Sequence, residues 1–236
     1  MFNPYEDIPD DREICKVADQ LWGINGRSQM SLNLFDIIKG RRSVKEYSSR
    51  EVSNDVLLRV LEAGRWAPSA HNAQPWRFIV IRDSALKQKL AENMANRWNE
   101  DMSKNGIPKE HRESLIKNSV ERIGKAPVTI IACLTMEGMD KYPDDRRNNI
   151  EYAMAVQSVA ASIQNMLLAA HSEGLGSCWL CAPLFCPDIV RKTLKIPEHV
   201  HPQALITLGY PAIKLNAPTR KPLEEIAYQN YWGYST

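Results

Sequence analysis

No glycine-rich dinucleotide fingerprint of the G-x-G-x-x-G kind opens a helix anywhere in the chain, so a Rossmann-type hold on NAD or FAD is not expected. No apolar run approaches the roughly 18 residues that a membrane-spanning helix needs. Charge of one sign is also missing: 30 basic residues face 28 acidic ones, for a net +2, so no global field argues for nucleic acid or an anionic membrane. Any anion site must be local. The opening MFNPYEDIPDDREI carries acids and prolines where a secretory leader would carry a basic and then an apolar segment. Five cysteines, an odd number scattered over 236 residues, suit free thiols in a reducing compartment, and both features point to the cytoplasm. Cys178-x-x-Cys181 with Cys186 has no second CxxC and no matching histidine to complete a tetrahedral set, so no metal is expected. His111, His171, His199 and His201 stand isolated in the pattern.

A hydrophobic fraction of 44% is ample for a large core. Residues 1–30 lack a sustained period and read as an N-terminal arm; the domain proper is expected over 31–236. Ser31 is placed to cap a helix LNLFDIIKG with Leu32, Phe35 and Ile38 on one face and Gly40 just past its end. Ser53 or Asn54 caps a second helix that stops before Pro68. WRFIVIRD (76–83) predicts a buried strand, and the charged stretch 84–123 predicts two exposed helices with modest core contact. PVTIIACLT (127–135) predicts a second buried strand. Residues 149–173 are so dense in Ala, Ser, Met and Leu that they predict a central helix with little exposure. Two further strands follow in GLGSCWLCAP and HPQALITLGYP. Helices and strands mix without strict alternation, which predicts an α+β fold.

Three segments carry the chemistry. Gly40-Arg41-Arg42-Ser43-Val44-Lys45 places three cations and a hydroxyl within five residues, enough to neutralise a phosphate and still donate to a neutral heteroatom. Arg220-Lys221, bracketed by Pro218 and Pro222, offers a second rigid anchor for the same dianion. RWAPSAHNAQPW (65–76) is over-specified for a linker: Ala67, Ser69, Ala70 and Ala73 let backbone amides approach a flat ring edge, and Asn72 and Gln74 offer the donors and acceptors of a pyrimidine edge. Within that loop His71 is the histidine best placed to touch a substrate, and Trp76 reads as core.

RRSVKEY, APSAHNAQPWRF, QNMLLAAHSEGLGSCW, LGYP and RKPLEEI, in this order and at these separations, resemble the FMN-dependent nitroreductase family from residue 31 to about 230. The resemblance implies a nitroreductase-like sandwich, a mixed and mostly antiparallel sheet flanked by helices, in an intertwined homodimer with two FMN sites at the interface. It implies that Arg41, Arg42, Ser43 and Lys45 hold the phosphate, ribityl chain and pyrimidine end of FMN, with Arg220 and Lys221 as the second phosphate anchor. Pro68, Ser69, Ala70 and Asn72 would form the ring-edge loop, reaching the flavin of the other subunit. Pro183 and Leu184 fall where the family lines the flavin face, although many members carry an acidic residue and a glycine there. The implied activity is hydride transfer through flavin N5 from NAD(P)H to a nitro, quinone or similar small aromatic acceptor, by a ping-pong mechanism. No protein residue need be catalytic in the narrow sense, since the cofactor carries the chemistry.

APLFCPDIVR is more particular. It resembles the flavin-binding C-terminal domain of the bifunctional enzymes of coenzyme F420 biosynthesis, which opens one alternative: a reductase of a dehydro-F420 precursor, with reduced F420 as donor. A flavin-binding protein without redox turnover is a third reading, from another class.

Overall fold

Every residue of the strand Val128–Thr135 is buried, and the reason lies in its two neighbouring layers. Ile130, Ala132 and Leu134 point to one core; Ile131 and Cys133, on the opposite face by the two-residue period of a strand, point to another. The computed structural model describes residues 33–233. The N-terminal arm and the Ser31 cap lie outside the described residues.

The order of elements is α1 (Leu34–Gly40), α2 (Asn54–Arg65), β1 (Trp76–Ile81), α3 (Ser84–Lys104), α4 (Lys109–Gly124), β2 (Val128–Thr135), α5 (Asp145–Ser172), β3 (Gly176–Leu180), α6 (Pro187–Leu194) and β4 (Val200–Gly209). The four strands form one sheet in the order β1-β2-β4-β3, every named pair antiparallel. The mixed character expected of the sheet reduces to one isolated parallel bridge, Ser43 to Ser177, that lays the segment after α1 along the outer edge of β3. The fold is α+β, as expected.

One face of the sheet carries α2 and α5, and this larger core holds Trp76, Val159, Ile163 and Met166. The Ser53 side chain caps α2 by accepting from the Val56 amide, and Asp144 caps α5 by accepting from the Arg147 amide. The two helices meet closely because Gly64 has no side chain: a Cβ there would stand 2.7 Å from Met166 Cγ. Ser162 donates to the Gly64 carbonyl at 2.8 Å and Asn165 to the Ala63 carbonyl at 3.2 Å, binding the helices through side chain to backbone. α5 begins four residues before its expected start, and it is the central helix, with Ala155, Ser158, Val159, Ser162, Ile163, Met166, Leu167 and Ala170 buried.

The other face corrects one expectation. α3 is a core helix: Leu90, Ala91 and Met94 are buried in one cluster with Ile131, Cys133 and Leu205, and Ala95 is buried as well. Its charges masked this, because one of them is itself buried. Lys87 is 4% exposed and runs its stem inward, donating its ammonium to the carbonyls of Ala126 and Pro127 just beyond the end of α4. α4 buries only Ile123 and fits the exposed reading better. A second correction concerns β1, an edge strand with Arg77 exposed, so the fully buried strands are β2 and most of β4. Gly40 is the last helical residue of α1, not a residue beyond it.

Candidate functional site

The segment after α1 alternates as an extended edge should: Val44 is buried while Ser43 and Lys45 on either side are exposed. Val44 donates its amide to the Ser177 carbonyl at 2.9 Å. The buried Tyr47 hydroxyl fixes the far end, hydrogen-bonded to the Val44 carbonyl at 2.8 Å and to Thr207 Oγ1 at 2.7 Å; burial pushes its ionisation well above that of an ordinary phenol. Contact this close requires Gly176, where a Cβ would stand 2.6 Å from Val44 Cβ.

Between this segment, the end of α5, the start of β3 and the loop after β4 lies an open cleft of about 410 Å³. Arg41, Arg42, His171 and Lys214 bring polar groups to it, over an apolar floor that includes Val44 and Leu175. The two arginines differ in use. Arg42 is spent on the protein, donating to the carbonyls of Lys39, Arg41 and Asn216 at 2.6, 2.9 and 3.1 Å, and so ties α1 to the loop after β4. The Arg41 side chain has no hydrogen-bond or ion-pair partner among the described residues and faces the cleft. His171, which looked isolated in the sequence, stands beside it. Burial first, then the positive charges of Arg41 and Arg42, hold its imidazole below the usual histidine range, so it is neutral at pH 7. Gly40 gives it room, since a Cβ there would stand 2.6 Å from His171 Nε2.

Arg220 and Lys221 are exposed and are not among the residues lining this cleft; Lys214, earlier in the same C-terminal stretch, lines it. The ring-edge loop lies elsewhere on the chain. Its turn Ala70–Asn72 sits on the middle of α5, with the Ala70 amide donating to Ser158 Oγ at 3.2 Å and the Gln74 amide to Ser69 Oγ at 3.1 Å. His71, Asn72 and Gln74 all have positive φ (55, 52 and 48°), a conformation that costs non-glycine residues energy. Pro68, His71 and Asn72 are exposed. Ser158 and His171 are about 20 Å apart along α5 at 1.5 Å per residue, so one protomer holds its loop and its cationic cleft well apart. The third predicted piece, Ala182–Phe185, is a 3-10 turn in which Pro183 is buried and Leu184 and Phe185 are exposed.

Burial works against a thiolate at three of the described cysteines. The four described ones are free, with Cys181 exposed. Burial raises Cys133 to about 12 and Cys186 to about 11; it raises Cys178 too, against the opposing charges of Lys45, Arg122 and Arg41.

The nitroreductase-family model matches residues 38–210. A protein of Methanothermobacter thermautotrophicus that carries the name NADH dehydrogenase/NAD(P)H nitroreductase is 32% identical over 183 residues, covering 77% of this chain and 78% of the relative. Among solved structures, a BluB-like flavoprotein from Clostridium difficile superposes with a TM-score of 0.73 at 27% identity, over 85% of this chain and all of the other. A nitroreductase from Desulfovibrio desulfuricans, solved in complex with FMN, gives a TM-score of 0.64 at 27% identity, over 85% of this chain and 98% of the other.

Proposed function

Since the chain belongs to the nitroreductase family, we propose that it is an FMN-dependent oxidoreductase that passes reducing equivalents from NAD(P)H to a small aromatic acceptor such as a nitro compound or a quinone. The observation that carries this reading is the cleft between α1 and β3, where the Arg41 guanidinium faces open space beside a neutral His171. That donor set fits a terminal phosphate: Arg41 offers a two-pronged cation, Lys214 a second charge, and Gly40 the room that keeps His171 within reach. Arg42 holds the wall, and Ser43 and Lys45 face outward along the edge, where Lys45 would favour a developing negative charge on a bound ring. Arg220 and Lys221 would join from the C-terminal stretch.

FMN, when bound, supplies hydride acceptance and donation. The chain's own residues position and shield. The ring-edge loop, with Pro68, Ser69, Ala70 and Asn72, is far from its own cleft along α5, which supports a site shared between two subunits of a homodimer. Exposed apolar side chains on and near the first helices, Leu34, Ile38, Leu58 and Trp66, would supply a dimer contact. Leu184 and Phe185 stand ready to line a flat ligand, and Pro183 fixes their turn. Donor and acceptor would use one open face in turn, giving parallel double-reciprocal plots. The free, unpaired cysteines suit a cytoplasmic setting.

The test is an anaerobic one. The purified protein should show a flavin spectrum, with FMN by mass, that NADH or NADPH bleaches and a nitroaromatic or quinone restores. Bleaching by reduced F420 alone would move the reading to the deazaflavin alternative. A protein that binds no flavin after reconstitution overturns the proposal.

A further inference from the structure

We propose that His71, Asp140 and Glu151 form a divalent-cation site that clasps the ring-edge loop to α5. The three residues come from three segments: the turn after α2, the loop after β2 and the second turn of α5. One ligand atom from each lies within 4.8 Å of the other two. His71 Nε2 is 3.3 Å from Glu151 Oε2 and 4.0 Å from Asp140 Oδ2. A first-row divalent ion at about 2.1 Å from its ligands holds two of them roughly 3.4 Å apart across a tetrahedral angle, so small side-chain rotations would seat one.

A second observation points the same way. Glu151 is 3% exposed; His71 Nε2 stands 3.4 Å from its Oε1 and 3.3 Å from its Oε2, yet the buried Oε2 receives no hydrogen bond. Such an oxygen is expensive to desolvate unless a positive charge offsets it. The Glu151 carboxylate lies within 4.8 Å of a ligand nitrogen of His71 and a carboxylate oxygen of the exposed Asp140. One neutral imidazole and two carboxylates make a mixed nitrogen and oxygen set that suits Zn²⁺ or Mn²⁺, and their two negative charges match the ion's two positive ones. Solvent would complete the coordination through the open side.

The site also gives a reason for the loop's backbone. His71 meets Glu151 from a backbone at φ 55°, and Gly138, at φ 79°, lies where the loop after β2 comes against Ala73. A bound ion would hold both in place.

The experiment uses the whole protein as purified, dialysed against a chelator and then freed of it, titrated with ZnCl₂ and separately with MnCl₂ by calorimetry. Expected is one ion per chain, a loss of that heat in Glu151→Gln, and an affinity at least about tenfold weaker in Asp140→Asn, whose exposed position leaves the fold intact. Uptake that is absent in the wild type, or unchanged in both variants, overturns the proposal; the cluster is then a contact of His71 with the two carboxylates and no more. The readout is metal rather than turnover, so it stands or falls apart from the flavin assignment.

Discussion

Arg41 and Arg42 share a side chain and differ in what surrounds it. Arg42 has three carbonyl partners and Arg41 has none among the described residues. Arg41→Ala should therefore weaken FMN binding by about 2–3 kcal/mol, the worth of a charge-assisted hydrogen bond, and leave the melting temperature of the flavin-free protein unchanged. Arg42→Ala should lower that melting temperature as well; flavin titration and calorimetry on both variants separate the two roles. His171 makes a pH prediction. Its folded pKa is depressed by burial and by the two arginines, so the unfolded chain binds its proton first as pH falls. The stability it contributes is complete above about pH 6.5, the unfolded value, and is lost as pH drops toward the folded value. His201, depressed by burial, Arg191 and His199, acts in the same direction. Urea melts of the flavin-free protein at pH 7.5 and 5.5 should show the loss, and His171→Gln should shrink it. The paired arginines were legible in the sequence because charge density near a helix end is a local signal. Which of them is free was not, since that depends on carbonyls as distant as Asn216.

At the scale of elements, the strands and the long helix were readable from their apolar runs; α3 was readable as a helix, but its buried face was not. Its buried stripe of Leu90, Ala91, Met94 and Ala95 sits among lysines and glutamates, and a periodic signal is blurred when Lys87 itself points inward. Contacts between remote backbones were equally hidden. Gly176, two residues after the left-handed Gly174, is a strand residue whose missing side chain admits Val44. Gly176→Ala should cost about 1–3 kcal/mol, because the β-branched, buried Val44 has no room to retreat. The same change should loosen the 41–45 segment and weaken flavin binding. Denaturation together with hydrogen exchange at the Val44 amide would check both; wild-type stability and protection would show that the packing is softer than the distances imply.

At the largest scale, residues 34–233 form a sheet between two helical layers, with large apolar side chains left at the surface. If Leu34 and Ile38 meet a second copy, Ile38→Glu should shift light scattering from dimer to monomer and release flavin in the same step. A stable monomer that keeps its flavin would refute the shared site. The proposal of a subunit pairing comes from resemblance, because a single chain's pattern does not say which exposed apolar residue is an interface. One consequence concerns α5, which carries the ring-edge loop at Ser158 and the cationic cleft at His171. A helix is a screw as well as a rod, so its length is also an angle. Inserting one residue between those positions would swing one end about 100° relative to the other and advance it by only about 1.5 Å. Drift in chain length across related proteins should therefore be tolerated in the loops around α5 and be almost forbidden within it, except in steps close to whole turns.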